Sequence, residues 1–125
     1  MIIGIGCDIV NHERVEKLNW SSDSDVQHRI LSDEEYQLYQ KTQDIKFIAG
    51  RFAAKEAVVK CLGTGMEDGI SLTNIQILQT IEGTPQIVIT GPETEMIKRK
   101  GIKSWHVSIS HTNGFSMAVV IAEGS

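Results

Sequence analysis

Asp8, Glu56 and Lys60 have the types and settings to act together on a phosphate-bearing substrate. Asp8 ends a short apolar run, and on an extended strand Gly4 and Gly6 share its face. That face carries no side-chain bulk, so a phosphate or a ligand backbone is expected to approach there. A carboxylate beside open space suits a hard cation. A strand-closing or helix-capping Asp would also account for it. Glu56 and Lys60 lie four apart in a helical stretch and so share one face. A solvated Glu–Lys pair at this spacing is common and contributes only about 0.2–0.5 kcal/mol. The same arc carries Ala49, Phe52 and Ala53, which is not the profile of a wet face. Small residues there predict close approach of the helix to a neighbour, with Glu56 and Lys60 half-buried. The carboxylate would suit a metal and the ammonium a phosphate. Arg51 and Lys55 are expected to add positive charge on neighbouring arcs.

Two further segments have chemical potential. Gly63-Thr64-Gly65 follows the helix; one glycine stops it, and the second permits a turn whose N–H groups meet an anion. This is not a Walker A loop, which needs a longer spacing and a following Lys-Ser/Thr. Ser108-Ile-Ser-His111-Thr112 leads into a turn, where hydroxyls and an imidazole would line a phosphate or ribose site. No nucleophile elbow surrounds either serine. His12, His28 and His106 are expected at the surface. A divalent ion held by a few carboxylates and substrate phosphates is the usual arrangement for such substrates, and phosphoryl or phosphodiester transfer follows.

The elements that must position these residues read as α+β. Residues 2–10 form a strand with Ile3, Ile5, Cys7 and Ile9 on one face. Residues 11–18 open a helix with Asn11 as cap, 20–27 are a polar loop, and Ser32-Asp-Glu-Glu35 is a capping box before a helix to about Tyr39. An Ala-rich helix spans 44–62. Strands at 71–81 and 86–90 flank Gly83-Thr-Pro85, and Pro92 starts a helix with acids first and Lys98, Arg99 and Lys100 last. Asn113-Gly114 joins strands 105–110 and 115–122 as a hairpin. The expectation is antiparallel strands against one long helix, with residues 1–125 as a single domain.

Composition is ordinary for a globular chain, with 41% hydrophobic and 22% charged residues. A net charge of -4 disfavours wholesale nucleic-acid binding. Cys7 and Cys61 fit no zinc spacing and are expected to be buried free thiols, which suits the cytoplasm. No leader and no membrane-length apolar stretch is read.

The motifs also carry a resemblance. Gly4-Ile-Gly-Cys-Asp8-Ile-Val with Arg14-Val15 is similar to the opening of the holo-acyl-carrier-protein synthases. Phe47-Ile-Ala-Gly-Arg-Phe-Ala-Ala-Lys-Glu56-Ala-Val-Val-Lys60-Cys-Leu-Gly-Thr-Gly65 resembles their central signature, and Trp105-His-Val-Ser-Ile-Ser-His111 their C-terminal block. Cys7 and Ser110 are small departures from the usual Leu and Thr. The resemblance implies an enzyme that moves 4′-phosphopantetheine from coenzyme A to a serine of an apo acyl carrier protein. Adenosine 3′,5′-bisphosphate would be released, and fatty acid biosynthesis supported. It implies Mg²⁺, with Mn²⁺ as the alternative, on Asp8 and Glu56. Lys60 would stand near the phosphates, and Gly63, Gly65, Ser108, His111 and Thr112 would contact coenzyme A, with His111 joining the catalytic set. Arg14 would dock the carrier. It also implies a trimer with active sites between protomers, so that His111 of one chain completes the Asp8/Glu56 cluster of another. Two rivals remain at this level: a different Mg²⁺-dependent phosphotransferase or nucleotidyl enzyme, and a trimeric module that binds without transfer.

Overall fold

The alternation in the first segment does produce a strand, β1 (Ile2–Asn11), in a computed structural model that describes residues 1–63 and 70–125. Asn11 then caps α1 (His12–Lys17), its side chain accepting from the Glu13 amide. The segment expected as a loop instead contains helix α2 (Ser24–Ile30). Its signal was hidden in a polar run: Asp23 accepts from the amides of Asp25 and Val26, and only Gln27 and Ile30 turn fully inward. Helix α3 (Asp33–Thr42) starts with the expected capping box between Ser32 and Glu35.

Helix α4 (Ile45–Leu62) is the central element, ended by Gly63 in the left-handed conformation. A 3-10 turn at Leu72–Asn74, where strand was expected, leads into β2 (Ile75–Gln79). Strand β3 (Pro85–Ile89) pairs with β2 antiparallel. Helix α5 (Glu93–Arg99) precedes a long hairpin, β4 (Ile102–Thr112) and β5 (Phe115–Gly124). The main sheet has the order β1-β5-β4, all antiparallel, and β2-β3 form a second small sheet.

Helix α4 lies across the inner face of the main sheet. Cross-strand register puts Gly4, Gly6, Asp8 and Val10 of β1 on that face with Ala122, Val120, Ala118 and Ser116 of β5. The two glycines sit directly beneath the helix. A Cβ added at Gly6 would stand 1.9 Å from the Ala57 carbonyl oxygen, and one at Gly4 would stand 2.4 Å from that of Cys61. The bare face of β1 is therefore filled by the helix backbone, not by a ligand as the sequence reading had it. The alanines of α4 (Ala49, Ala53, Ala57) are fully buried and complete this close approach. It is this contact that brings Glu56 and Lys60 to the strand carrying Asp8.

Lys55 is not a positive neighbour of the cluster. It is fully buried and pairs with Glu35, also fully buried. It donates as well to the carbonyls of Ile30 (2.6 Å) and Leu72 (2.9 Å). Glu35 in turn accepts from the amides of Ser32 and Ile77. One ammonium thus ties α2, α3, α4 and the 3-10 turn before β2 together. Burial lowers the Lys55 pKa, with Glu35 opposing the effect. Arg51 is likewise buried, stacked 4.0 Å over the Phe47 ring.

The opposite face of the sheet is apolar and open. Ile5 and Ile9 are 62% and 63% exposed, and Phe115 and Met117 share their side. Cys7 lies there too and is exposed, whereas Cys61 is buried and its thiol is pushed up to about 11 by burial. The expectation of two buried thiols fails for Cys7 because its whole strand face is the outer one. Among the described residues no helix is long and apolar enough to cross a membrane.

Candidate active site

Spacing placed Glu56 and Lys60 on one helix face, and the fold brings that face to Asp8. Lys60 Nζ donates to Asp8 Oδ1 at 3.1 Å and to the Cys7 carbonyl at 2.9 Å. The Asp8 side chain is 20% exposed and that of Lys60 54% exposed. Glu56 is half-buried as expected, but Lys60 reaches further into solvent than the sequence implied. Burial raises the proton affinity of Glu56 above the ordinary carboxylate value. Asp8 raises it further, and Lys60 partly offsets both.

Two oxygen-donor groups that repel each other, one of them desolvated, fit a small hard cation. Among the described residues no group of three or more His, Cys, Asp or Glu stands together, so those residues offer a carboxylate pair and not a closed cage. The remaining positions around such an ion would fall to substrate phosphates and water.

Asp8 and Glu56 line one cleft of about 440 Å³. Its far wall is α1, with Arg14 exposed at the rim, and its floor holds Leu18, Trp20 and Phe52. The Trp20 and Phe52 rings meet edge-on with centroids 4.7 Å apart. The sequence reading missed this apolar floor, because Trp20 had been assigned to a loop and Phe52 only to a helix face. A tryptophan at the edge of a polar stretch was the available signal.

The C-terminal candidates stand elsewhere in the same chain. Ser108 is exposed on the outer sheet face, opposite Val119, and Thr112 is exposed beside the turn. His111 lies on the inner face, hydrogen-bonded through Nδ1 to Ser116 Oγ at 2.7 Å. Its pKa is lowered, first by burial and then by His12. No hydrogen bond joins it to Asp8, Glu56 or Lys60. His12, expected at the surface, is buried against Ser116. Gly63 is exposed with open space around its Cα, while Gly65 lies outside the described residues.

Comparison with known proteins shows the family of the chain. Residues 4–120 match the family model of the 4′-phosphopantetheinyl transferase superfamily. A holo-acyl-carrier-protein synthase of Hamiltonella defensa is 42% identical over 98% of both chains. The crystal structure of the Neisseria meningitidis synthase superposes with a TM-score of 0.90 at 34% identity, covering 98% of this chain and 99% of that one. The Helicobacter pylori synthase, solved in complex with coenzyme A, superposes at 0.82 with 34% identity, covering 95% and 99%.

Proposed function

This chain belongs to the 4′-phosphopantetheinyl transferase superfamily, and from that premise we propose that Asp8, Glu56 and Lys60 form its reaction centre. The enzyme transfers 4′-phosphopantetheine from coenzyme A to a serine of an apo acyl carrier protein and releases adenosine 3′,5′-bisphosphate. The observation that carries the assignment is that Asp8 and Glu56 line one cleft while Lys60 holds Asp8 at 3.1 Å, an arrangement set by the contact between α4 and the β1 glycines.

The chemistry follows from the groups present. The carrier serine oxygen attacks the phosphorus that bears pantetheine, and the pyrophosphate P–O bond breaks. The serine proton goes to a water or a carboxylate beside the reaction centre. Lys60, exposed and mobile on a long stem, leaves its Asp8 contact to neutralise charge on the departing phosphate. Asp8 and Glu56 would hold Mg²⁺ or Mn²⁺, which would neutralise phosphate charge during transfer. Gly63, Gly65, Ser108, His111 and Thr112 are proposed to contact coenzyme A, and Arg14 at the cleft rim to meet an acidic fatty-acid carrier. The apolar floor beside Arg14 would take an apolar side chain of that partner.

The open apolar face of β1 and β5 supports a trimer, which would bury it and bring His111 of one protomer to the cleft of another. The whole of residues 1–125 would act as one domain. A reducing cytoplasm would keep Cys7 and Cys61 as thiols.

Calorimetric titration of coenzyme A with Mg²⁺ tests the centre. Asp8→Asn is expected to abolish the Mg²⁺-dependent part of the affinity. Unchanged Mg²⁺-dependent binding would remove Asp8 from the assignment.

A further inference from the structure

Two histidines share one buried hydroxyl. Ser116 is fully buried, and its Oγ lies 2.7 Å from His12 Nε2 and 2.7 Å from His111 Nδ1. The elements that make this meeting are fixed by backbone. The hairpin register pairs His111 with Ser116, and the His12 amide donates to the Gly114 carbonyl at 2.9 Å. His12 is 8% exposed. The edge of the His111 ring passes over Gly50, where an added Cβ would stand 2.9 Å from Cε1. Its Nε2 takes no hydrogen bond from the described residues and is the nitrogen left for a ligand.

A hydroxyl has one proton to donate. In one neutral arrangement His12 Nε2–H donates to Ser116, which donates to His111 Nδ1, so His111 presents an Nε2–H donor outward. In the other, His111 Nδ1–H donates to Ser116, which donates to His12 Nε2, so His111 presents a bare acceptor. Both rings therefore carry their proton on the like-named nitrogen. If both were imidazolium, both would donate to Oγ and the buried hydroxyl proton would have no acceptor. A single charge on His111 is compatible, because His12 then accepts from the hydroxyl.

We propose that Ser116 and His12 are positioning residues acting through His111: the hydroxyl couples the two rings so that they carry at most one charge between them, and an anionic group of coenzyme A at His111 Nε2 places that charge on His111. This rests on the reading that His111 touches coenzyme A. The surroundings of His111 leave that charge to be supplied by a ligand. Burial, His12, Lys46 and Arg51 all disfavour it, and only Asp44 at the start of α4 favours it. Coupled sites of this kind titrate as a pair.

Long-range ¹⁵N–¹H spectra of the imidazoles in the full chain test the coupling. The two rings are expected to titrate together, with like-named tautomers in the neutral state. On adding adenosine 3′,5′-bisphosphate, His111 should become doubly protonated and His12 should settle with its proton on Nδ1. Independent titrations or unlike tautomers would overturn the proposal. Coupled rings that ignore the ligand would uphold the relay and sink the contact with coenzyme A on which its role rests. In kinetics, His12→Phe removes the acceptor and should raise KM for coenzyme A about tenfold. His12→Gln, which keeps a carbonyl acceptor, should restore most of it. Equal KM values for both variants and the wild type would count against any role for His12.

Discussion

Gly6→Ala should cost this enzyme its activity through a single methyl group. The added Cβ would lie 1.9 Å from the Ala57 carbonyl oxygen, whereas ordinary contact begins near 3.4 Å. Both atoms belong to backbone-fixed positions, so no side-chain rotation relieves the overlap. Helix α4 would have to withdraw from β1 by about 1.5 Å. Glu56 and Lys60 ride on α4, so a shift of this size would carry both out of place relative to Asp8 on β1. Overpacking of this kind typically costs about 1–3 kcal/mol of stability. A displacement of about 1 Å within a reaction centre costs on the order of 100-fold in rate. The assay is urea denaturation alongside initial rates of adenosine 3′,5′-bisphosphate release. The variant should remain folded at low temperature and lose activity out of proportion to its stability. A variant with wild-type midpoint and wild-type kcat/KM would refute the claim that close approach of α4 assembles the site.

Other expectations follow from the same structure. Glu56 has a raised pKa, so the folded state binds its proton more tightly than the unfolded chain, and stability falls as pH rises from the ordinary carboxylate range through the folded pKa. In metal-free buffer Glu56→Gln should therefore melt higher than wild type at neutral pH, with the gain vanishing below about pH 4, while transfer is lost; a lower melting temperature at pH 7 would contradict this. Lys55→Met leaves Glu35 buried without its partner and should destabilise by about 3–5 kcal/mol in urea denaturation, however distant from the cleft it lies. Ile5→Glu on the open sheet face, which the proposed trimer would bury, should lower the sedimentation coefficient relative to wild type, with loss of activity that coenzyme A excess does not restore; an unchanged sedimentation coefficient would remove this face from the proposed interface.

Much of this arrangement was legible in the chain. The period-2 pattern of residues 2–10, the Ser32–Glu35 capping box and the Asn113-Gly114 turn each act through local backbone chemistry, and each appears where expected. The alanines around Glu56 correctly indicated close packing. What they packed against was not legible: the bare face at Gly4 and Gly6 was read as room for a ligand, although it leaves room for a helix backbone just as well. Only tertiary contact decides between the two. Lys55 was misplaced for a related reason. Its neighbour in sequence faces the cleft, but its partner Glu35 comes from a helix twenty residues away, and spacing along one helix carries no information about such a pair. His12 likewise looked like a surface residue until Ser116 gave it a buried partner.

Intact mass of an apo acyl carrier protein, incubated with coenzyme A, Mg²⁺ and this enzyme, tests the central assignment most directly. Wild type should add one phosphopantetheine arm to the carrier, and Asp8→Asn and Glu56→Gln should leave it unmodified over the same time. A carrier modified by both variants at the wild-type rate would contradict a reaction centre built on Asp8 and Glu56.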